Sequence, residues 1–228
     1  MLQLRQYLDR RLSPRQTAAV IVIVAVLAGL GYGAYQIIAA RLLEARVSAA
    51  MPRLYAKVRE QRGTLVRAIE AYQARFGIYP PDHVLSRQPV VVDPVTNTLL
   101  YELVGAIYNP TNKLLSVAGL EPAEAAYVRE FFQIAAFRNC AESQGGLQHF
   151  LPAENVPTRL LHDDPDVFVL GCTAWPEEVE PEVVWQIDVS SWRYASSAPT
   201  NNPGRFDLWI EVKANGQKAT IGNWKAVE

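Results

Sequence analysis

An uninterrupted stretch without any charged side chain, residues 16–40, constrains this chain more than any other feature. As a helix rising about 1.5 Å per residue it would be about 38 Å long, enough to cross a hydrocarbon layer about 30 Å thick. A helix satisfies its own backbone hydrogen bonds in lipid. Within its apolar core, residues 18–40, only Gln36 is strongly polar, and Tyr32 and Tyr35 suit the interface between lipid and water. Because a cleaved signal peptide has a shorter apolar region, the sequence predicts one retained membrane span.

The span divides the chain into four predicted parts. Residues 1–17 form a short tail, 18–40 the transmembrane helix, 41–78 an amphipathic helix, and 79–228 a compact globular domain. Basic residues flank the span about equally on both sides, so counting positive charges leaves the orientation open. The tail is too short to form a domain, and the function is therefore expected to lie in the part of the chain from 41 to 228.

Charge is segregated along the chain, although the net charge is only −1. Residues 1–62 hold ten Lys or Arg and three acidic residues, whereas residues 63–228 hold twelve basic and twenty acidic residues. Lipid headgroups suffice as the partner of the basic part, since basic flanks are ordinary around a membrane span. The acidic distal part argues against nucleic-acid binding, which usually requires a basic face.

The stretch after the span has the pattern of an amphipathic helix that buries one narrow face. Its apolar residues recur three, four or seven positions apart, and they are Leu54, Val58, Leu65, Ile69, Tyr72 and Phe76. Gln61 fills the missing position of this apolar seam. Pro52 is expected to kink or briefly break the helix, because proline lacks the N–H and clashes with the preceding turn. The seam must pack against the domain that follows.

The domain after residue 79 mixes helical and strand patterns. Short helices are predicted over 99–106 and after Pro122, and the second is expected to bury Ala126, Phe131, Ile134 and Phe137. Strands are predicted over 167–172, 183–189, 206–212 and 217–224. Asn215-Gly216 between the last two strands is a strong hairpin signal, because both residues tolerate positive φ. The expected fold class is α+β with a small antiparallel sheet.

Two cysteines, Cys140 and Cys172, leave two interpretations open. They suit one disulfide in an oxidising compartment, and they suit equally two buried thiols. Neither has the Cys and His spacing of a zinc site.

Three segments resemble the type IV pilin-like proteins, and specifically the major pseudopilins of type II secretion. They are AIEAYQARFGIYPPD at 68–82, which contains the Gly-x-Tyr-Pro element that ends the long helix, TNTLLYELVGA at 96–106, and the C-terminal stretch from 192 to 224. The last contains a Phe-Asp-Leu strand, a hairpin and an Asn-Trp terminus, and is the most specific of the three. The resemblance covers pieces of residues 68–224, with unrelated insertions between them.

The resemblance implies a long N-terminal helix packed on a small antiparallel sheet, in the cytoplasmic (inner) membrane, with a cytoplasmic tail and the C-terminal domain in the periplasm. Family members carry a Gly cleavage site before the apolar run and a Glu within it. This chain instead has SPRQTAAVIVIV at 13–24, without either residue. We therefore expect a pseudopilin-like protein that stays an unprocessed membrane anchor.

The family also implies a structural calcium ion in the loop before the final strands. Asp188, Asn202 and Asp207 offer oxygen atoms in the comparable region, with Asn201 beside them. The alternative is that Asp207 accepts hydrogen bonds from backbone N–H groups across the loop. No other cofactor is expected.

Catalysis is not expected, because no nucleophile motif, phosphate-binding glycine loop or zinc-protease motif occurs in the sequence. The densest set of potential metal ligands is residues 162–166, His-Asp-Asp-Pro-Asp. Its spacing does not satisfy a calcium loop, so a solvated turn with a capping Asp is the favoured interpretation.

The five tryptophans are the strongest candidates for contacts with other molecules. Trp185, Trp209 and Trp224 are expected in the core against the long helix. Trp175, beside an acidic run, is expected to be an exposed contact. In the alternative of a carbohydrate- or peptide-binding module, Trp175 and Trp192 would both contact the ligand.

The leading hypothesis is a non-enzymatic structural or accessory subunit of a multi-protein membrane assembly, of secretion or pilus type. Its expected partners are the lipid bilayer and other subunits, with no nucleic acid and no small-molecule substrate. Gly29, Gly31 and Gly33 form a small-residue face on which another membrane helix can pack. The alternatives are a membrane-tethered carbohydrate- or peptide-binding module and, less favoured, a membrane-anchored hydrolase.

Overall fold

The computed structural model describes residues 14–117, 119–152, 156–161, 164–172 and 180–224. It is a mixed α+β protein with a long N-terminal helix and several small sheets, which confirms the predicted class. The chain divides into two compact units, Met1–Arg46 and Val47–Glu228.

The long helix α1 spans Pro14–Phe76. Its N-terminal part is long and apolar enough to cross a membrane, and the apolar window is not buried against the rest of the protein. More than half of the surface of Ile21, Leu27, Leu30 and Ile37 is exposed. Covering each such side chain contributes about 1.5–3 kcal/mol, so this surface favours an apolar surrounding.

Pro52 lies inside α1, and the helix continues through it. The brief break expected at Pro52 is therefore wrong, because the residues before and after the proline are all helical. A kink of α1 at Pro52 stays a prediction.

The apolar seam on the second half of α1 is confirmed. Its buried residues within the second unit are Val47, Leu54, Val58, Leu65, Ala68, Ile69 and Tyr72. Phe76 is half-buried, and its ring packs 4.6 Å from the ring of Tyr72. Gln61 fills the gap in the seam, where its Oε1 accepts a hydrogen bond from the Cys172 thiol at 3.1 Å.

The strands and short helices of the second unit follow α1 in this order: β1 Asp82–Arg87, β2 Val90–Asn97, α2 Leu99–Val104, β3 Ala106–Asn109, β4 Leu114–Val117, β5 Ala123–Glu124, α3 Ala125–Phe131, β6 Cys140–Ala141, β7 Thr158–Leu160, β8 Phe168–Leu170, α4 Pro181–Val184, β9 Ile187–Val189, β10 Arg193–Ala195, β11 Asp207–Ala214 and β12 Gln217–Gly222. β1 and β2 form a hairpin, as do β7 and β8. β3, β4, β5 and β6 form a four-stranded sheet in which β6 is parallel to β3.

The C-terminal sheet is built around β11. β12 pairs with one edge of β11, and the short strands β9 and β10 share its other edge, all antiparallel. Asn215 and Gly216 form the β11–β12 turn with φ of 49° and 72°, which confirms the predicted hairpin. The Asn215 side-chain amide donates to Ser48 Oγ on α1 at 3.2 Å. The end of the sheet is thereby attached to the start of the second unit.

Two details of the predicted elements are wrong. Of the four residues expected to be buried in and after α3, Ala126 is exposed, Phe131 and Ile134 are half-buried, and Phe137 is buried as predicted. The buried residues of α3 itself are Ala125 and Val128, followed by Phe132. The predicted strand over 183–189 is a helical turn, α4, followed by β9. Pro181 explains the difference, since its fixed φ suits the first turn of a helix.

The tryptophans that are buried are not those that were expected to be. Trp185 is 84% exposed, so its predicted place in the core is wrong, whereas Trp192 is completely buried and is not available as a contact. Trp209 and Trp224 are half-buried, and their rings meet edge to face at 5.8 Å. Burial therefore depends on which element covers each ring, which the local sequence does not reveal.

Candidate functional site

Two adjoining clefts beside β9 are the best candidate for a binding surface among the described residues. They share Asp188 and Lys213 as lining residues and measure about 320 and 460 Å³. The first cleft lies between β7 and the β9–β10 stretch and is lined by Val95, Arg159, Leu160, Leu161, Ser190, Ser191 and Arg193. The second is lined by Trp185, Gln186, Ile187 and the β11–β12 turn, Ala214, Asn215 and Gly216. We call the two clefts together the β9 surface.

The local sequence explains how these side chains reach the β9 surface. α4 ends at Val184, and the C-cap residue that follows, Trp185, keeps helical backbone angles and carries an exposed indole. The next residues alternate between buried Ile187 and exposed Asp188, as expected of a strand with one face on the core. Asp188 faces Lys213 across the β9–β11 ladder, and their charged groups lie 3.7 Å apart.

Positive charge predominates on the β9 surface. Arg159 Nη1 donates to the Val189 carbonyl at 2.9 Å. Arg193 Nη2 donates to the Glu211 carboxylate at 3.0 Å and Lys218 Nζ donates to it at 2.6 Å, although neither Glu211 nor Lys218 lines a cleft. The described charged residues that line the two clefts are three cations, Arg159, Arg193 and Lys213, and one carboxylate, Asp188. The excess of cations contrasts with residues 63–228 as a whole, which have twenty acidic and twelve basic residues.

The structure does not bring together the three predicted calcium ligands. Asn202 and Asp207 are neighbours, but Asp188 lies opposite Lys213, six positions from Asp207 along β11. At about 3.3 Å per residue this separation is about 20 Å. Asp188 is therefore too far from Asp207 to bind the same ion, and that part of the prediction is wrong.

Asp207 instead holds the loop before β11. Its Oδ2 accepts from the backbone N–H of Thr200 at 2.7 Å, from that of Asn201 at 2.8 Å, and from the Asn201 side-chain amide at 3.0 Å. Its Oδ1 accepts from the backbone and side-chain N–H groups of Asn202, both at 2.9 Å. A calcium ion requires oxygen ligands, whereas this carboxylate is surrounded by N–H donors. The arrangement fits the alternative in which Asp207 stabilises the loop.

We expect Asp207→Asn to lower the free energy of unfolding by about 2 kcal/mol, because the introduced NH₂ group would face N–H donors in a buried site. Urea unfolding of the full chain in detergent measures the effect. Asp188→Asn is the matched control, because the Asp188 side chain is exposed. We expect this control to change stability by about 0.5 kcal/mol or less, as exposed substitutions usually do. A larger loss for Asp188→Asn than for Asp207→Asn would contradict the assignment.

The other predicted site residues lie apart from the β9 surface or outside the described residues. Gly29, Gly31 and Gly33 lie on α1, and apart from the adjacent backbone of α1 no described atom packs against their Cα positions, so helix packing there stays a prediction. Trp175 lies outside the described residues. Cys140 is in β6, and in this structure it and Cys172 carry thiols and do not form a disulfide.

The acidic cluster at 162–166 is described only from Asp164 onward. Asp164 Oδ1 accepts from the Asp166 backbone N–H at 2.9 Å, and Oδ2 accepts from the Tyr127 hydroxyl. This is the capped turn that the sequence favoured. Among the described residues, no group of three or more His, Cys, Asp or Glu side chains lies together as metal ligands would.

A buried carboxylate on α2, that of Glu102, was not among the predicted site residues. Its Oε2 accepts from the Tyr72 hydroxyl on α1 at 3.0 Å and from the Asn139 backbone N–H at 2.9 Å, and its Oε1 accepts from the Arg138 backbone N–H at 2.9 Å. Burial raises the pKa of Glu102, although these hydrogen bonds oppose the shift. The network joins α1 to the segment before β6. A charged residue within an apolar helix, LLYELV, was its only signal in the sequence.

We expect Glu102→Gln to lower the free energy of unfolding by about 2 kcal/mol at acidic pH, with a smaller loss as pH rises. The direction of this pH dependence follows from the raised pKa of Glu102. Above pH 4.5 the folded wild type binds more protons than the unfolded chain. The stability of the wild type therefore falls as pH rises through the folded pKa of Glu102. Because Gln does not titrate, the stability of the Glu102→Gln variant does not fall in this way. Urea unfolding of both proteins across this range measures the difference, and a deficit that grows with pH would contradict it.

No family model, curated protein or solved structure matches this chain. Its function must therefore be inferred from its own residues.

Proposed function

We propose that this protein is a non-enzymatic, single-pass membrane subunit, pseudopilin-like in architecture, whose α+β domain binds other subunits of a membrane assembly of secretion or pilus type. The observation that carries the proposal is helix α1. Its N-terminal part exposes apolar side chains as a membrane span does, and its C-terminal part buries a seam in the second unit. One continuous helix thus serves as anchor and as a core element of the domain, a structural rather than a catalytic arrangement.

The elements that resemble pseudopilins support this proposal by their roles in the fold. Gly77 follows the end of α1 with φ of 76°, and the Tyr-Pro element comes next. The Pro80 carbonyl accepts from the buried Tyr194 hydroxyl at 3.0 Å, so the segment after the helix is held to the C-terminal sheet. Asp82 accepts from the backbone N–H groups of Ser196 and Ser197, at 2.6 and 2.7 Å, on the loop that Asp207 holds from its other end.

Purification of the full chain from its native membrane in mild detergent tests this proposal. We expect an intact mass equal to that of the complete, unmethylated chain, together with a constant set of membrane proteins. A chain shortened before the apolar run and N-methylated, recovered with filament proteins, would show a processed pseudopilin instead. A chain recovered without other proteins would contradict a role as an assembly subunit.

A second candidate is a membrane-tethered carbohydrate- or peptide-binding module, which the 84% exposure of Trp185 beside a cleft favours. Exposed indoles bind sugars and apolar peptide groups by stacking. A glycan array probed with the full chain tests the carbohydrate-binding form of this candidate, since a subunit that binds only proteins retains no glycan.

A further inference from the structure

We infer that the β9 surface binds an extended, acidic peptide segment of a partner protein. The inference rests on the proposed function, because it identifies the chemistry by which this subunit would recognise another. Three features of the β9 surface carry it: its charge, the edge of β9 that faces away from β11, and an exposed aromatic ring beside it.

The charge selects an acidic partner. Arg159 and Lys213 line the first cleft at its surface, and Arg193 lines it at greater depth. Among the described residues no carboxylate pairs with Arg159, whose guanidinium donates to the Val189 carbonyl. Asp188 and Lys213 are both exposed, so the attraction within this pair is weak and is easily exchanged for a partner carboxylate. A local cationic surface on an acidic domain attracts acidic groups and repels basic ones.

The edge of β9 selects an extended peptide. Ser190 N donates to Glu211 O, which makes this a hydrogen-bonded pair of the antiparallel ladder, and the bonded pairs alternate along the strands. The backbone groups of Val189 and Ile187 therefore point away from β11. The contact between Arg159 and the Val189 carbonyl agrees with this direction, and an incoming strand would replace that contact or bond to the other backbone groups of this edge. An incoming strand can bond to such an edge, with its side chains alternating between the two sides.

The ring of Trp185 adds an apolar contact at the other end of the β9 surface. Trp185 lies in the second cleft, which adjoins the cationic one through the shared Asp188 and Lys213. A segment that extends across both clefts would place acidic side chains near Arg159 and apolar ones near Trp185. An anionic lipid headgroup matches the charge but does not use a strand edge, so the peptide is the occupant that the three features favour together.

The test uses the full chain in nanodiscs of neutral phosphatidylcholine and two fluorescein-labelled octapeptides, one alternating Glu and Val and one alternating Lys and Val. We expect the acidic peptide to bind about tenfold more tightly than the basic one by fluorescence polarisation, and to lose this advantage in about 1 M salt, where charges are screened beyond about 3 Å. Equal binding of the two peptides, or binding of neither, would overturn the inference.

Variants locate the binding on the β9 surface. We expect Arg159→Glu and Lys213→Ala each to weaken binding of the acidic peptide, the first by about tenfold, and Trp185→Ala to weaken it by about threefold. Arg87→Glu is the matched control, because Arg87 is an exposed arginine in β1 that lines neither cleft, and it should leave the affinity unchanged. An equal loss in Arg87→Glu would show a non-specific charge effect and overturn the inference.

Two further outcomes separate the inference from the proposed function. If wild type and Arg159→Glu recover the same membrane proteins and neither binds the peptide, the inference fails while the subunit role stands. If the acidic peptide binds at the β9 surface but no membrane proteins are recovered, the subunit role fails. Sedimentation with phosphatidylserine vesicles that is lost in Arg159→Glu, without peptide binding, would assign the surface to lipid and overturn the inference.

Discussion

Replacing Val26 and Leu30 together with arginine is expected to release the chain from the membrane. Both side chains are exposed on α1 near the middle of the apolar stretch, 54% and 66% respectively. An arginine near the centre of a bilayer costs about 3 kcal/mol on insertion scales, so the pair costs about 6 kcal/mol. Washing membranes with alkaline carbonate measures the result, since a spanning chain stays in the pellet and a released one does not.

The matched control is Ala56→Arg with Glu60→Arg, which places two arginines four positions apart on an exposed face of the same helix after the apolar stretch. We expect this variant to stay in the pellet as the wild type does. Equal retention of both double variants would contradict the membrane span, and equal loss would indicate that extra arginines simply destabilise the helix.

Trp192→Ala is expected to lower the free energy of unfolding of the domain by about 3 kcal/mol. Truncating a buried Trp costs about 3–5 kcal/mol, and Trp192 is completely buried. Its indole Nε1 is buried and has no hydrogen-bond partner within the described part of the chain, so removing it recovers about 1 kcal/mol. Its backbone bonds, from Trp192 N to Leu170 O and from Asn97 Nδ2 to Trp192 O, remain in the variant.

Trp185→Ala provides the comparison for this measurement, because it removes the same side chain from a position that is 84% exposed. We expect a change of about 0.5 kcal/mol or less in urea unfolding of the full chain. The two variants therefore separate stability from binding: Trp192→Ala should destabilise the domain, and Trp185→Ala should weaken only the binding of the acidic peptide. A larger stability loss for Trp185→Ala would place that ring in the core after all.

The comparison of Trp192 with Trp185 bears on how aromatic residues are assigned to the core or to a binding surface. From the sequence, Trp192 was a plausible contact residue and Trp185 a plausible core residue, and the structure reverses both assignments. The cationic residues of the β9 surface were not singled out at all. Arg159, Arg193 and Lys213 are far apart in sequence, and the last two come together only because β9 and β10 share one edge of β11.

Features that repeat along the chain or act locally could be predicted without the structure. The uncharged run is sufficient to predict a long apolar helix. The buried face of the second half of α1 is identified by the spacing of its apolar residues, because a helix brings such residues to one side wherever it packs. These residues are Leu54, Val58, Leu65 and Ile69. Asn215 and Gly216 likewise identify the hairpin through their own backbone freedom. Helix α2 was also predictable from its run of apolar residues.

The burial of isolated polar and aromatic residues depends on the folded arrangement of the chain. Glu102 is a core residue because Tyr72 and the backbone of residues 138–139 supply its hydrogen bonds, and those partners lie 30 or more positions away in the chain. Asp188 and Asp207 lie far apart because they occupy different positions along the β11 ladder. The burial of such a side chain and the charges around it depend on contacts between distant segments. The local sequence carries no information about which segment will cover that side chain.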